Sequence, residues 1–158
     1  MKKIILFLSI TLAAGVLLTN IYTSLIDATS WGSDIPNSIQ TARDYFRTVN
    51  PGNFFRIFSP ANQILALLTL ILFWKKSKSA RLYFAIALVL SVVGDIFTFA
   101  YFYPRNLIMF ENPIAENIEQ IKAAWTQWNQ MNWVRSLVGA IELFFSFKGL
   151  DAIYKAEK

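Results

Sequence analysis

The chain has 158 residues, 55% of them hydrophobic and 16% aromatic, with 15 basic and 10 acidic side chains and neither histidine nor cysteine. With a positive mean hydropathy, this composition argues against a water-soluble domain and for one membrane domain over residues 1–158. The missing histidine and cysteine exclude the common haem, zinc and copper ligand sets, cysteine nucleophiles and histidine bases.

Crossing a bilayer core takes about 20 helical residues. Four predicted spans, at about 4–26, 54–74, 82–103 and 125–147, meet that length, the second and fourth only with their amphipathic approaches. The expected fold is therefore all-α: an integral membrane four-helix bundle with amphipathic extracytoplasmic helices in the two outer loops. The first run, after Lys2 and Lys3, is expected to be a retained span. It continues to Ile26, and no small-x-small cleavage site followed by polar chain appears.

The loop after it carries Ile35, Ile39, Ala42, Phe46 and Val49 at steps of four and three, the pattern of an amphipathic helix. Residues 50–53, Asn-Pro-Gly-Asn, read as a turn that ends it, and Ser59-Pro60 as a capped start of the second apolar run. Residues 75–81, K-K-S-K-S-A-R, form a short basic hairpin, a topology anchor in contact with lipid headgroups. The third span closes on Tyr101 and Tyr103 at an interfacial aromatic belt, where Pro104 is expected to kink or end the helix. Asn112-Pro113 reads as another helix start, with Ile114, Ile118, Ile121 and Trp125 along one edge. Unbroken to Lys148, that helix would be about 54 Å long, so it projects above the membrane or bends near residues 122–128.

Nine basic residues (Lys2, Lys3, Lys75, Lys76, Lys78, Arg81, Lys148, Lys155, Lys158) fall on one side of such a four-span chain and six on the other. The nine occupy short segments, which places both termini in the cytoplasm of a multi-pass cell-membrane protein. The positive charge is thus a topology signal. No basic stripe on a soluble surface marks a nucleic-acid partner; membrane lipid and a lipophilic small molecule are the expected partners.

Ionisable groups inside a span need a partner or a cavity, and Asp95, Arg135 and Glu142 are such groups. Asp95 lies about 12 Å and Arg135 about 6 Å below the outer boundary, within reach of an ion pair. Glu142 is expected to snorkel or pair toward Lys148. Asn20, Asn62 and Asn106 fall near the outer ends of the first three spans. In the segment W-T-Q-W-N-Q-M-N-W-V-R at 125–135, Trp125, Asn129 and Asn132 share a narrow helical stripe, flanked by Trp128 and Arg135. Together these predict an aromatic-walled, polar-tipped pocket opening outward.

The spacing Pro104-x-Asn106, then Trp125-x-x-Trp128-Asn129-x-x-Asn132-x-x-Arg135, in a four-span chain of this length, resembles the anthrone oxygenase-like membrane family. Gly15, Asn20 and Asn62 fit it loosely. The resemblance implies oxidation of anthrones to anthraquinones by molecular oxygen without metal or flavin, so no cofactor is expected. It implies Asp95 as candidate base, with Asn106, Asn129, Asn132 and Arg135 holding the anion. Three readings stay open: a binder of a lipophilic aromatic or quinone-like molecule with Asn20, Asn62, Asn106, Trp125, Trp128, Asn129 and Asn132 as contacts; a cofactor-independent oxygenase; and a non-catalytic structural membrane subunit.

Overall fold

The computed structural model describes residues 2–157; the described residues form helices and no strand. Five helices follow one another: α1, Lys2–Trp31; α2, Asn37–Tyr45; α3, Pro51–Phe73; α4, Lys78–Phe110; and α5, Ile114–Ala156. Helices α1, α3 and α4 are each long and apolar enough to cross a membrane. The 43-residue α5 is the longest of the five. Helix α1 packs on α3 and α5, and α4 packs on the same two.

Two helices run further than their apolar runs predicted. Helix α1 passes through a π turn at Thr23–Asp27 and continues to Trp31; α4 passes through a π turn at Thr98–Phe102 and continues to Phe110. A π turn bonds i to i+5 and shifts the register by one residue. Because that shift occurs just before Pro104, the missing proline amide does not end the helix there as the sequence suggested. Helix α3 also departs from expectation. It begins at Pro51, with the Asn50 side chain accepting from the Gly52 amide at 2.9 Å, so Pro60 lies inside it. Asparagine followed by proline is a favourable helix start, and it takes precedence over the weaker Ser59-Pro60 signal. In α5 the break falls at Asn117, whose φ of −128° and ψ of 20° are not helical. That is earlier than the bend expected near 122–128, and the helix runs on from there.

Two apolar clusters lie at opposite ends of the molecule. One joins Trp31, Ile39, Phe102, Met109, Ile121 and Trp128 from all the helices except α3. Trp31 meets Phe46, Phe110 and Trp128 edge-on, with centroids 5.1 to 6.1 Å apart. Arg43 of α2 donates to the Met109 carbonyl at 2.6 and 3.0 Å and to the Asn112 carbonyl at 2.9 Å, capping the C-terminus of α4. The other cluster holds Leu6, Ile10, Leu70, Phe73, Phe84 and Ile153. There α5 approaches α4 so closely that a Cβ on Gly149 would lie 2.3 Å from the Phe84 ring. Between the two clusters is a polar layer.

Candidate functional site

The polar layer is built by helical spacing. On α5 the buried side chains Trp128, Asn132, Arg135, Glu142 and Ser146 follow one another at steps of three, four and seven, so they share a face. On α4, Ser91, Asp95, Thr98 and Phe102 recur at steps of four, three and four. Asn20 and Ser24 come from α1, and Phe55, Ser59 and Asn62 from α3. They surround a cavity of about 40 Å³ lined by Asn20, Phe55, Ser59, Asn62, Ser91, Asp95, Thr98, Arg135 and Glu142, with small and aliphatic residues between.

Arg135 is only 7% exposed. Its Nη2 donates to Asn132 Oδ1 and its Nη1 to Thr98 Oγ1 at 3.3 Å. Asn132, fully buried, donates in turn to Ser24 Oγ and to the Asn20 carbonyl at 3.1 Å. Asn132 and Arg135 therefore tie the π turn of α1 to that of α4. The guanidinium carbon sits 4.2 Å from the Phe102 ring centroid, 5.4 Å from Phe55 and 5.8 Å from Trp128, an aromatic enclosure that replaces part of the hydration lost on burial.

The expected Asp95–Arg135 ion pair is not formed. Asp95 Oδ2 accepts from Gln63 Nε2 at 2.7 Å, and among the described residues no Lys or Arg nitrogen lies within 4 Å of either Asp95 or Glu142. Arg135 bonds instead to Asn132, one helical step away, and to Thr98, across from it on α4. Glu142 likewise does not reach toward Lys148. It is buried and accepts from Asn62 Nδ2 at 2.8 Å across the α3–α5 interface. Three polar atoms on the cavity residues are buried without a partner: Arg135 Nε, Asn20 Oδ1 and Asn62 Oδ1.

The remaining sequence-selected residues lie elsewhere. Trp125 donates its indole hydrogen to the Ala28 carbonyl at 2.7 Å and packs against Gly32, where a Cβ would lie 2.0 Å from its ring. Trp128 belongs to the aromatic cluster and touches the site through Arg135 and Phe102 without lining the cavity. Neither Asn106 nor Asn129 lines the cavity; both are partly exposed. Of the segment 125–135, expected to wall an outward-opening aromatic pocket, only Arg135 lines the cavity, which continues along α5 to Glu142. Sequence reasoning missed Ser24, Phe55, Ser59, Gln63, Ser91, Thr98 and Phe102. The signal was present on α4, where Ser91, Thr98 and Phe102 share Asp95's helical face, yet serine and threonine are unremarkable in an apolar helix because they bond to their own backbone. Thr98 does so here, to the Gly94 carbonyl at 2.9 Å.

The fold and the site define an all-helical protein with three membrane-capable helices and a buried Glu, Arg and amide cluster, beside a half-buried Asp, between two apolar ends. The chain matches the anthrone oxygenase family over residues 53–142, more than half its length, and it belongs to that family. The match takes in Asn62, Asp95, Asn132, Arg135 and Glu142 and leaves out Asn20. No curated protein and no solved structure matches.

Proposed function

We propose that this is a multi-pass protein of the cell membrane whose polar cavity receives the hydroxyl end of a lipophilic aromatic or quinone-like molecule. In this reading α1, α3, α4 and α5 span as one bundle, α2 and the first turns of α5 lie outside, and both termini are cytoplasmic. The carrying observation is the set of unpartnered atoms on the cavity residues. Arg135 Nε offers a hydrogen, while Asn20 Oδ1 and Asn62 Oδ1 lack one. A hydroxyl group accepts and donates through one oxygen and serves both needs.

The test uses 2-naphthol, whose own fluorescence reports binding, with the protein in lipid nanodiscs. Saturable binding over empty discs, weakened about tenfold or more by Arg135→Gln, is the expected result, since a hydrogen bond to a charged donor contributes about 1.5–3 kcal/mol. Equal affinity in wild type and Arg135→Gln refutes the reading.

Family membership and the half-buried carboxylate of Asp95 favour a second reading, a cofactor-independent oxygenase. Asp95 would take a proton from the substrate and Arg135 would hold the resulting anion. Oxygen uptake with anthrone as substrate is then expected to disappear in Asp95→Asn while the folded protein is retained. Undiminished uptake in that variant removes Asp95 as the base.

A further inference from the structure

A cavity of about 40 Å³ takes a hydroxyl but no ring; apolar cavities that take up benzene measure roughly 150 Å³. The body of any aromatic ligand therefore lies outside it, on a side where the wall is unpacked. Helix α3 provides that side. None of residues 51–61 is buried, and burial along this helix begins at Asn62. The change falls beside Pro60, which lacks the amide that would bond one turn back. The first third of α3 thus leaves its side chains partly or fully exposed, and it carries Phe54, Phe55 and Phe58. Phe54 lies against Phe58 with centroids 4.5 Å apart. Phe55 meets Phe54 edge-on with centroids 5.3 Å apart, lies 5.4 Å from the Arg135 guanidinium carbon, and with Ser59 forms part of the cavity wall. Asp95, reached by Gln63 from α3, also lines the cavity and stays half-exposed where α3 and α4 meet.

We infer that the groove between the outer third of α3 and α4 is a second, apolar subsite, open toward the bilayer, in which the ring of a lipophilic phenol or hydroquinone lies against Phe55. This inference rests on the reading of the cavity as the hydroxyl site and says where the rest of the ligand goes. The occupant follows from continuity, because Phe55 and Ser59 belong to both the groove and the polar cavity. A ring there meets the part of Phe55 that stays exposed. Entry is lateral, from lipid, with the hydroxyl leading toward Arg135.

In the same 2-naphthol measurement, Phe55→Ala is expected to raise Kd about tenfold, the order of one lost aromatic contact together with its buried area. Phe55→Trp is expected to keep near-native affinity, since it retains a ring at the site, and Phe55→Leu to fall between. If 2-naphthol binds in an Arg135-dependent way and Phe55→Ala, Phe55→Leu and Phe55→Trp all bind like wild type, the subsite is overturned while the cavity reading stands. That pattern is the one expected if an ordinary acyl chain fills the groove. If binding is absent, or indifferent to Arg135→Gln, both fall together. Because Phe55 is only partly buried, a loss of binding with an unchanged melting temperature separates ligand contact from folding.

Discussion

At the scale of single residues, the polar layer works through neutral hydrogen-bond partners more than through opposite charges. Glu142 and Asn62 are the clearest case, two buried side chains from different helices joined by one bond of 2.8 Å. Removing one partner leaves the other desolvated and unsatisfied, which costs about 1–3 kcal/mol and more for a charged group. Asn62→Leu is therefore expected to lower the thermal midpoint in detergent by several degrees, at roughly 2–4 °C per kcal/mol for a chain of this size. The double variant Asn62→Leu, Glu142→Leu should recover part of the loss, because an apolar pair needs no donor. A double variant no more stable than Asn62→Leu alone would mean that Glu142 is held by groups other than Asn62. Arg135 follows the same logic, with Asn132 and Thr98 taking its hydrogens and Phe102 covering its face.

At the scale of elements, interruptions within helices shape the site. The π turns Thr23–Asp27 and Thr98–Phe102 lie where Asn132 and Arg135 connect α1 to α4. Register shifts of this kind recur at functional positions because they re-aim side chains without ending the helix. Pro60 lies beside the point where burial along α3 begins, and Pro60→Ala restores a backbone bond to the Arg56 carbonyl and removes the ring's clash there. The natural chain has no cysteine, so labels are unique at two exposed positions. Spin labels at Ile57→Cys and Ile96→Cys, on α3 and α4, are expected to give a broad distance distribution that narrows in Pro60→Ala. Identical distributions would show that the proline does not act as a hinge.

At the scale of the whole molecule, the polar layer is held between two apolar clusters, so its geometry depends on both ends being fixed. At one end Trp31, Met109, Ile121 and Trp128 fasten the extensions of α1, α4 and α5 around α2, and Arg43 caps α4. At the other, Gly149 lets α5 close on Phe84, and Lys3 pairs with Glu157 at 2.7 Å, joining the first helix to the last. That pair is solvent-exposed and contributes little by itself. The packing of Leu6, Phe73, Phe84 and Ile153 beside it does more, because burial of large apolar groups contributes roughly 1.5–3 kcal/mol each.

Sequence alone determined the helical class, three of the four expected membrane-capable runs, the family and the residues Asn20, Asn62, Asp95 and Arg135 that meet at one cavity. Hydropathy and helical spacing act locally along one chain segment, so they survive without knowledge of neighbours. Tertiary structure decided the start of α3 at Pro51, the passage of α4 through Pro104, the break at Asn117 and the removal of Trp125, Asn106 and Asn129 from the cavity wall. It also decided that Arg135 bonds to Asn132 and Thr98, and Glu142 to Asn62. Several acceptors lie within reach of each donor, and which is used depends on how the helices are rotated and offset against one another, a relation that no single segment encodes.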